Sequence, residues 1–449
     1  MSHHDDTVSN PRAKTTVATI SDIVAKRLSR RDFLGGATAL SGLALSGCAP
    51  SRNQQGAGRV SSSAAFDFAE ITRGVDGTHH VPEGYVADVL LRWGDPLFPD
   101  SPAFDPQDQS VEAQHKLFGQ NNDFVGFIAL EPDGDGAERA LLCVNHEYTT
   151  SRLMFPGVAE NYPASMTAQH CEIEMAAHGS SIVEIKFENG RWNPVVGSKY
   201  TRRITAATTP MTITGPAAGH DRLKTSADPK GLTAAGTMNN CAGGITAWGT
   251  YLMAEENFHG YFSGDLPESH GEADNYERYG VGGSSWYAWG RHFDRYNLER
   301  EPNEPNRFGW IVEVDPFDPA STPKKRTAIG RYKHEGAESV IAPDGRVVLY
   351  SGDDERFEYV YKFISAGRYD PDNRAANMNL LEDGTLYVAR FGEDGTVDWL
   401  PLTFGQGPLT PENQFYSQAD VLIETRRAAD LLGATPMDRP EDVEPDPRT

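Results

Sequence analysis

Short apolar runs broken by turn signals recur along most of the chain. FVGFIAL (124–130), ALLCVNHEY (140–148), SIVEIKFENGRWNPV (181–195) and ITAWGTYLMAEE (245–256) read as strands. So do GWIVEVDP (309–316), TAIGRYKHEG (327–336), RVVLYSGDD (346–354), EYVYKFIS (358–365) and TLYVARFGEDGTVDWLPL (385–402). A further strand is expected at YVADVLLRW (85–93). Glu188-Asn189-Gly190, Asp344-Gly345, Asp383-Gly384 and Asp394-Gly395 supply hairpin turns, because Asn, Asp and Gly tolerate the left-handed backbone such turns need. One helix stands out, ADVLIETRRAADLLGA (419–434), with Gly433 as its stop. Many strands with little helix predict an all-β fold, and a β-propeller with irregular insertions fits better than a sandwich or barrel. No repeat period is visible, which argues against a WD40 or kelch array. The polar, aromatic stretch 263–306 reads as a surface excursion rather than a blade.

Composition sharpens this picture at two points. Gly (44) and Pro (29) are frequent, favouring short strands and turns over long helices. The net charge of −23, from 41 Lys+Arg against 64 Asp+Glu, argues against a general nucleic-acid or anionic-membrane partner. Solubility explains such acidity, and so does neutralisation of bound cations.

The N-terminus carries an address. Ser29-Arg30-Arg31-Asp32-Phe33-Leu34 is a twin-arginine pattern, followed by an apolar run (35–47) too short and glycine-rich to span a membrane. It predicts passage through the twin-arginine export machinery to the periplasm or the exterior. Leu45-Ser46-Gly47-Cys48 reads equally as a lipobox, which would put a lipid anchor on Cys48, or as the surroundings of a plain signal-peptidase cut. Residues 49–64 read as a disordered tether and 65–449 as the folded domain. Removing Cys48 leaves Cys143, Cys171 and Cys241, an odd number, so at least one is an inert thiol or a ligand. Cys143 sits in the apolar run ALLCV, Cys171 in a polar stretch that gives no reading, and Cys241 among residues that suggest chemistry.

That last stretch is GTMNNCAGGITAWGTYLMAEENFHG (236–260). Asn239, Asn240, Cys241, Glu255 and Glu256 offer soft sulfur and hard oxygen within a short span, and Gly243-Gly244 would let backbone approach a ligand. Four more clusters sit at strand ends or turns: Asn145-His146-Glu147, His334-Glu335-Gly336-Ala337-Glu338, Asp353-Asp354-Glu355-Arg356 and Arg439-Pro440-Glu441-Asp442-Val443-Glu444. Singly, each has a plain explanation: a turn cap, a surface ion pair, a hydrogen-bonded structural histidine at His146. Jointly, strand ends terminating in carboxylates point to one metal site. Carboxylates and amides suit calcium or magnesium, whereas a thiolate beside carboxylates suits a transition metal such as iron. CxxC, HExxH, GxSxG and P-loop patterns are absent from the sequence, which disfavours the usual zinc, serine-hydrolase and nucleotidase readings. Arg439 beside Glu441 is the pairing a phosphate-ester site needs.

The strings VNHEYT (144–149), 236–262, RFGWIVEVDPFDP (307–319), YKHEGAE (332–338), SGDDERFEYVYKF (351–363) and MDRPEDVEP (437–445) resemble the PhoX-type alkaline phosphatases. The resemblance implies a propeller with iron (Fe³⁺) and calcium at its axis, hydrolysing phosphate monoesters outside the cytoplasm. It implies Cys241 as an iron ligand, Glu335 and Glu441 as carboxylate metal ligands, and Arg439 as a phosphate contact. Glu147, Asn240, Glu338, Asp442 and Glu444 fall in the same motifs and are expected in the metal site. Catalysis would then rest on Arg439, Glu441, Glu335 and Cys241. Members of that family usually continue past MDRPEDVEPDPRT with further strands and another ligand, so a propeller lacking its closing blade is expected. A monomer acting on small phosphate esters is the leading expectation. A non-catalytic calcium-binding propeller and a phosphodiesterase- or phytase-like propeller hydrolase are the alternatives.

Overall fold

The computed structural model describes residues 18–20, 23, 68–134 and 136–446. The twin-arginine pattern, Cys48 with its lipobox, and the tether at 49–64 lie outside the described residues. Two compact units are present, one of Met1–Val24 with Leu91–Thr449 and the other of Ala25–Leu90. In the second unit the described residues 68–90 form neither helix nor strand. The strand expected at 85–93 is therefore not there: Tyr85, Val86 and Val89 face solvent, and among the described residues no strand pairs with them.

In the large unit, the first sheet is built from β1 (Asn122–Leu130), β2 (Arg139–His146), β3 (Gly179–Glu188), β4 (Arg191–Pro194) and β5 (Arg202–Ile204). β2 is buried along nearly its whole length, which is why ALLCV is apolar without alternation. Asn189 (φ 55°) and Gly190 (φ 79°) make the β3–β4 turn as their sequence suggests. The second sheet comprises β6 (Pro210–Thr214), β7 (Thr233–Ala235), β8 (Asn240–Ile245), β9 (Tyr251–Glu255), β10 (Ile311–Val314) and β11 (Lys324–Arg326), ordered β7-β6-β11-β10-β9-β8. The third is the meander β12 (His334–Ile341), β13 (Arg346–Asp353), β14 (Val360–Arg368), β15 (Gly384–Phe391) and β16 (Val397–Pro401). Pairing is antiparallel except between β6 and β11. The fold is mostly antiparallel β with few helices, in line with the all-β expectation.

Several elements depart from the sequence reading. The run 245–256 is not one strand but the turn and second arm of a hairpin, because Thr246 and Thr250 bond to each other and Gly249 takes φ 74°. In 327–336 a 3-10 turn (Thr327–Ile329) precedes the strand, which begins at His334. The expected helix 419–434 breaks at Glu424 into Gln418–Ile423 and Thr425–Leu432, where the Glu424 carboxylate turns to Arg222 at 2.6 Å. Gly433 does end it, in the left-handed region at φ 72°. A helix at Ala168–Ala177 went unread; it is buried on most sides, so it carries no amphipathic stripe to announce it. The stretch 263–306 is no surface excursion. Tyr276, Tyr279, Trp289 and Tyr296 are buried in the main core, Trp289 packing against His178, Tyr261, Tyr287 and Tyr296.

Candidate metal centre

The site forms where strands of all three sheets meet at β8. That strand packs against both β1 and β12. Its glycines explain how: a Cβ on Gly243 would stand 2.4 Å from the Leu252 carbonyl of β9 and 3.1 Å from the Phe124 ring of β1, and one on Gly244 would stand 2.1 Å from the Ala337 carbonyl of β12. Gly244 thus admits a neighbouring strand rather than a ligand, and Gly243 sits against both that ring and a cavity wall. Each of the three strands also carries a register break, at Asn122/Val125 in β1, Asn240/Gly243 in β8 and Glu335/Glu338 in β12. Bulges re-aim side chains out of the pleat. Here they bring Asp123 and Glu335 to the buried Cys241, Asp123 from the exposed edge and Glu335 half-buried.

Cys241 is the hub. Its Sγ donates to Glu335 Oε1 at 3.1 Å. One ligand atom from each of Asp123, Glu147 and Cys241 lies within 4.8 Å of the others, and the same holds for Cys241, Glu256 and Glu335. Burial and mutual repulsion push every resolved acid of this group toward its protonated form. The Cys241 thiol is raised by desolvation and then by Glu256, Glu335, Glu147 and Asp123. Glu256 is raised well above the carboxylate range by desolvation and then Glu335, Glu147 and Asp354, with Lys333 opposing. Glu335 goes up to about 8, from desolvation and then Asp354, Asp123 and Glu441, against its bond from Cys241. Asp123 is raised by desolvation and by Asp442. Packed acids that repel one another this strongly fit a cation better than they fit one another. A thiol among carboxylates suits a transition metal.

Beside this cluster lies a cavity of about 260 Å³ lined by Asp123, Glu338, Asp442, Glu444, Gly243 and Tyr350, among others. The Glu338 carboxyl is raised by desolvation and then by Glu444 and Asp442. An oxygen-only set of this kind suits a hard cation. The C-terminal segment reaches it by pairing antiparallel with 356–358, Phe357 N donating to Met437 O and Met437 N to Glu358 O. Gly352 permits the crossing: a Cβ there would meet the Pro440 and Glu441 carbonyl oxygens at 2.1 and 2.4 Å. Arg439 grips Asp354 from this segment, and its Nη2 stands 3.2 Å from Glu441 Oε1.

Asp353, Asp354 and Glu355 divide their work. Asp353 and Glu355 face inward to the fully buried Arg426, and Glu355 also meets Lys333 at 3.1 Å. Lys333 and Arg426 hold the Glu355 carboxyl well below its usual range, outweighing desolvation. Asp354 faces the other way, to Arg439 and to the carboxylates of the cluster.

The structure thus gathers Cys241, Glu335 and Glu147 in the inner cluster and Glu338, Asp442 and Glu444 around the cavity, with Arg439 and Glu441 alongside. It does not bring in Asn240, whose Oδ1 accepts from Thr237 and whose Nδ2 reaches the Gly179 carbonyl. Of the Glu255-Glu256 pair only Glu256 joins. Glu255 is satisfied by Lys325 Nζ at 2.6 Å and by the Gly309 and Trp310 amides. His146 is a structural histidine, engaged by Asn122, Ser181 and Gly119 N. One residue of the cluster was missed as a ligand, Asp123, whereas Glu256 was among the oxygen donors the sequence offered. Asp123 is the second residue of β1, and its signal was the antiparallel register that sets Asn122 opposite His146, next to Glu147.

A family model described as "Alkaline phosphatase PhoX" matches residues 66–449. No curated protein matches. Among solved structures, "Pseudomonas fluorescens PhoX in complex with vanadate, a transition state analogue" is similar at 43% identity and a TM-score of 0.77. The match covers 82% of this chain and 64% of that one, so the chain spans less than two-thirds of that relative's length.

Proposed function

The chain belongs to the PhoX alkaline phosphatase family, and from that premise we propose that it is a metal-dependent phosphatase acting on phosphate monoesters. The observation that carries the reading is Cys241 bonded to Glu335 amid Asp123, Glu147 and Glu256, with Arg439 alongside. The thiol–carboxylate cluster would hold iron, and the oxygen-only cavity of Asp123, Glu338, Asp442 and Glu444 would hold calcium. When bound, these cations would supply Lewis acidity at the phosphoryl group.

The residues of the chain do the rest. Arg439 presents a guanidinium that can bind two phosphate oxygens and the charge that develops on them in the transition state. Asp354 fixes the plane of that guanidinium through its two-point contact, and Glu441 lies beside it. The propeller architecture, export by the twin-arginine route, a lipid anchor on Cys48 and a monomeric state belong to the same reading.

The test is p-nitrophenyl phosphate turnover paired with elemental analysis on protein exported in folded form, with bis-p-nitrophenyl phosphate as the diester control. Iron and calcium with monoester turnover are expected. Calcium alone without turnover would overturn the phosphatase reading in favour of a binding scaffold, and diester preference would overturn the substrate class.

A further inference from the structure

We propose that Asn145 and Tyr251, neither of them a ligand, are positioning residues that hold the Cys241 thiol in place; this rests on reading the cluster as a metal site. A bulge leaves backbone carbonyls without ladder partners, and buried carbonyls need partners. In β8 the bulge lies between Asn240 and Gly243, and the carbonyls concerned belong to Cys241 and Ala242. Asn145 Nδ2 donates to both, at 2.6 and 3.1 Å, which uses both hydrogens of the amide. Its Oδ1 in turn accepts the Tyr251 hydroxyl. Both side chains are fully buried.

Three of the strands that carry or adjoin the inner ligands, β1, β2 and β8, are tied through this pair. Asn145 lies on β2, two residues before Glu147, which follows the end of that strand. Its amide reaches the Cys241 backbone on β8. Tyr251 stacks on Phe124 at 5.8 Å between ring centroids and 13° between planes, and Phe124 follows Asp123 on β1. The amide and phenol therefore fix Glu147, Cys241 and Asp123 relative to one another without touching the cation space. A buried polar pair of purely structural value could sit anywhere in the core. This one acts on the backbone of the single sulfur donor in the cluster.

The experiment measures Co²⁺ affinity by chelator competition, with the thiolate–cobalt charge-transfer absorption as a second readout. Tyr251→Phe removes one hydroxyl and keeps the ring stack, so it guards against the chance that Asn145→Ala fails to fold. Tyr251→Phe should weaken Co²⁺ binding about 10-fold or more and displace the charge-transfer band, the usual size for residues that orient metal ligands. In a Cys241→Ser background the same substitution should change affinity by less than about 2-fold, because the sulfur being positioned is gone. Equal losses in both backgrounds, or a Tyr251→Phe protein with unchanged affinity, would overturn the clamp while leaving the metal site intact. A wild-type protein that binds no Co²⁺ would overturn the site reading along with the clamp.

Discussion

Arg439 grips Asp354 through two parallel contacts, Nε donating to Oδ1 at 2.9 Å and Nη2 to Oδ2. The arginine does so from a left-handed backbone, φ 61°, which a side chain with a Cβ adopts at a cost of roughly 1 kcal/mol or more. Asp354 is almost fully buried while Arg439 is 40% exposed, so the carboxylate is the fixed member and the guanidinium the presented one. Because Lys has no planar fork, Arg439→Lys should raise the KM for p-nitrophenyl phosphate about 10-fold or more and weaken inhibition by inorganic phosphate, with metal content unchanged. Arg439→Gly should lose the same activity and lower the melting temperature, since it takes the two-point partner from the buried Asp354 carboxylate, a loss that relief of the left-handed backbone offsets only in part. Wild-type KM in Arg439→Lys would remove the residue from substrate binding.

Asp353 and Glu355 anchor the turn from the other side. Arg426 Nη2 and Nε hold Asp353 at 2.6 and 2.8 Å and Nη1 holds Glu355 at 2.6 Å, all three residues buried. Removing one member leaves charge buried and unpaired, so Arg426→Ala should destabilise the protein by about 3–5 kcal/mol in denaturant titration. Asp398→Ala, which breaks the exposed Arg390–Asp398 pair, should change stability by less than about 1 kcal/mol. Similar losses for the two would show that the buried network does not secure the turn.

What the sequence revealed follows from what each residue's neighbours are. Cys241, Glu147 and Glu335 were readable because each stands among other ligand-type residues beside an apolar run, where unpaired polar groups are costly. Asp123 was not, although like Cys241 and Glu335 it is the second residue of its strand, because it is a lone acid ahead of FVGFIAL and only antiparallel pairing with β2 brings it beside Glu147. Adjacent Glu255 and Glu256 are chemically alike in sequence; what separates them is Lys325, seventy positions away in the chain, which satisfies one and leaves the other. The turn residues Asn189, Gly190 and Gly433 act locally and were legible for that reason. The aromatics of 263–306 are buried by partners from distant parts of the chain, His178 against Trp289 among them, and nothing local announces that.

The three cysteines beyond Cys48 differ by surroundings rather than by burial. Cys143 lies in an apolar cluster with Leu141, Ile182, Met253 and Val312, and Cys171 in the main core; none of the three is disulfide-bonded. Cys143→Ala should therefore leave metal content and turnover near wild type. Cys241→Ser should abolish iron retention and turnover while calcium remains, since the oxygen-only cavity does not include the sulfur. Iron retained in Cys241→Ser, by elemental analysis, would show that the carboxylates suffice.

The acids of the cluster also set how stability depends on pH when metal is absent. Glu335 is raised to about 8, and Asp123 and Glu256 are raised as well. A carboxyl whose folded pKa lies above its unfolded value binds more protons folded than unfolded. Stability is therefore highest below the unfolded pKa near 4.5 and falls as pH rises toward about 8. Bound cations replace those protons and remove the penalty. The gain in melting temperature from metal over chelated protein should thus be small at pH 5.5 and larger at pH 8.5. Glu174, raised to about 7 by burial against its bonds from Ser151 and Trp289, loses stability over the same range. It does so with or without metal, so it cancels in the difference. A metal-dependent gain that stays constant across this range would mean that the cluster does not exchange protons for cations.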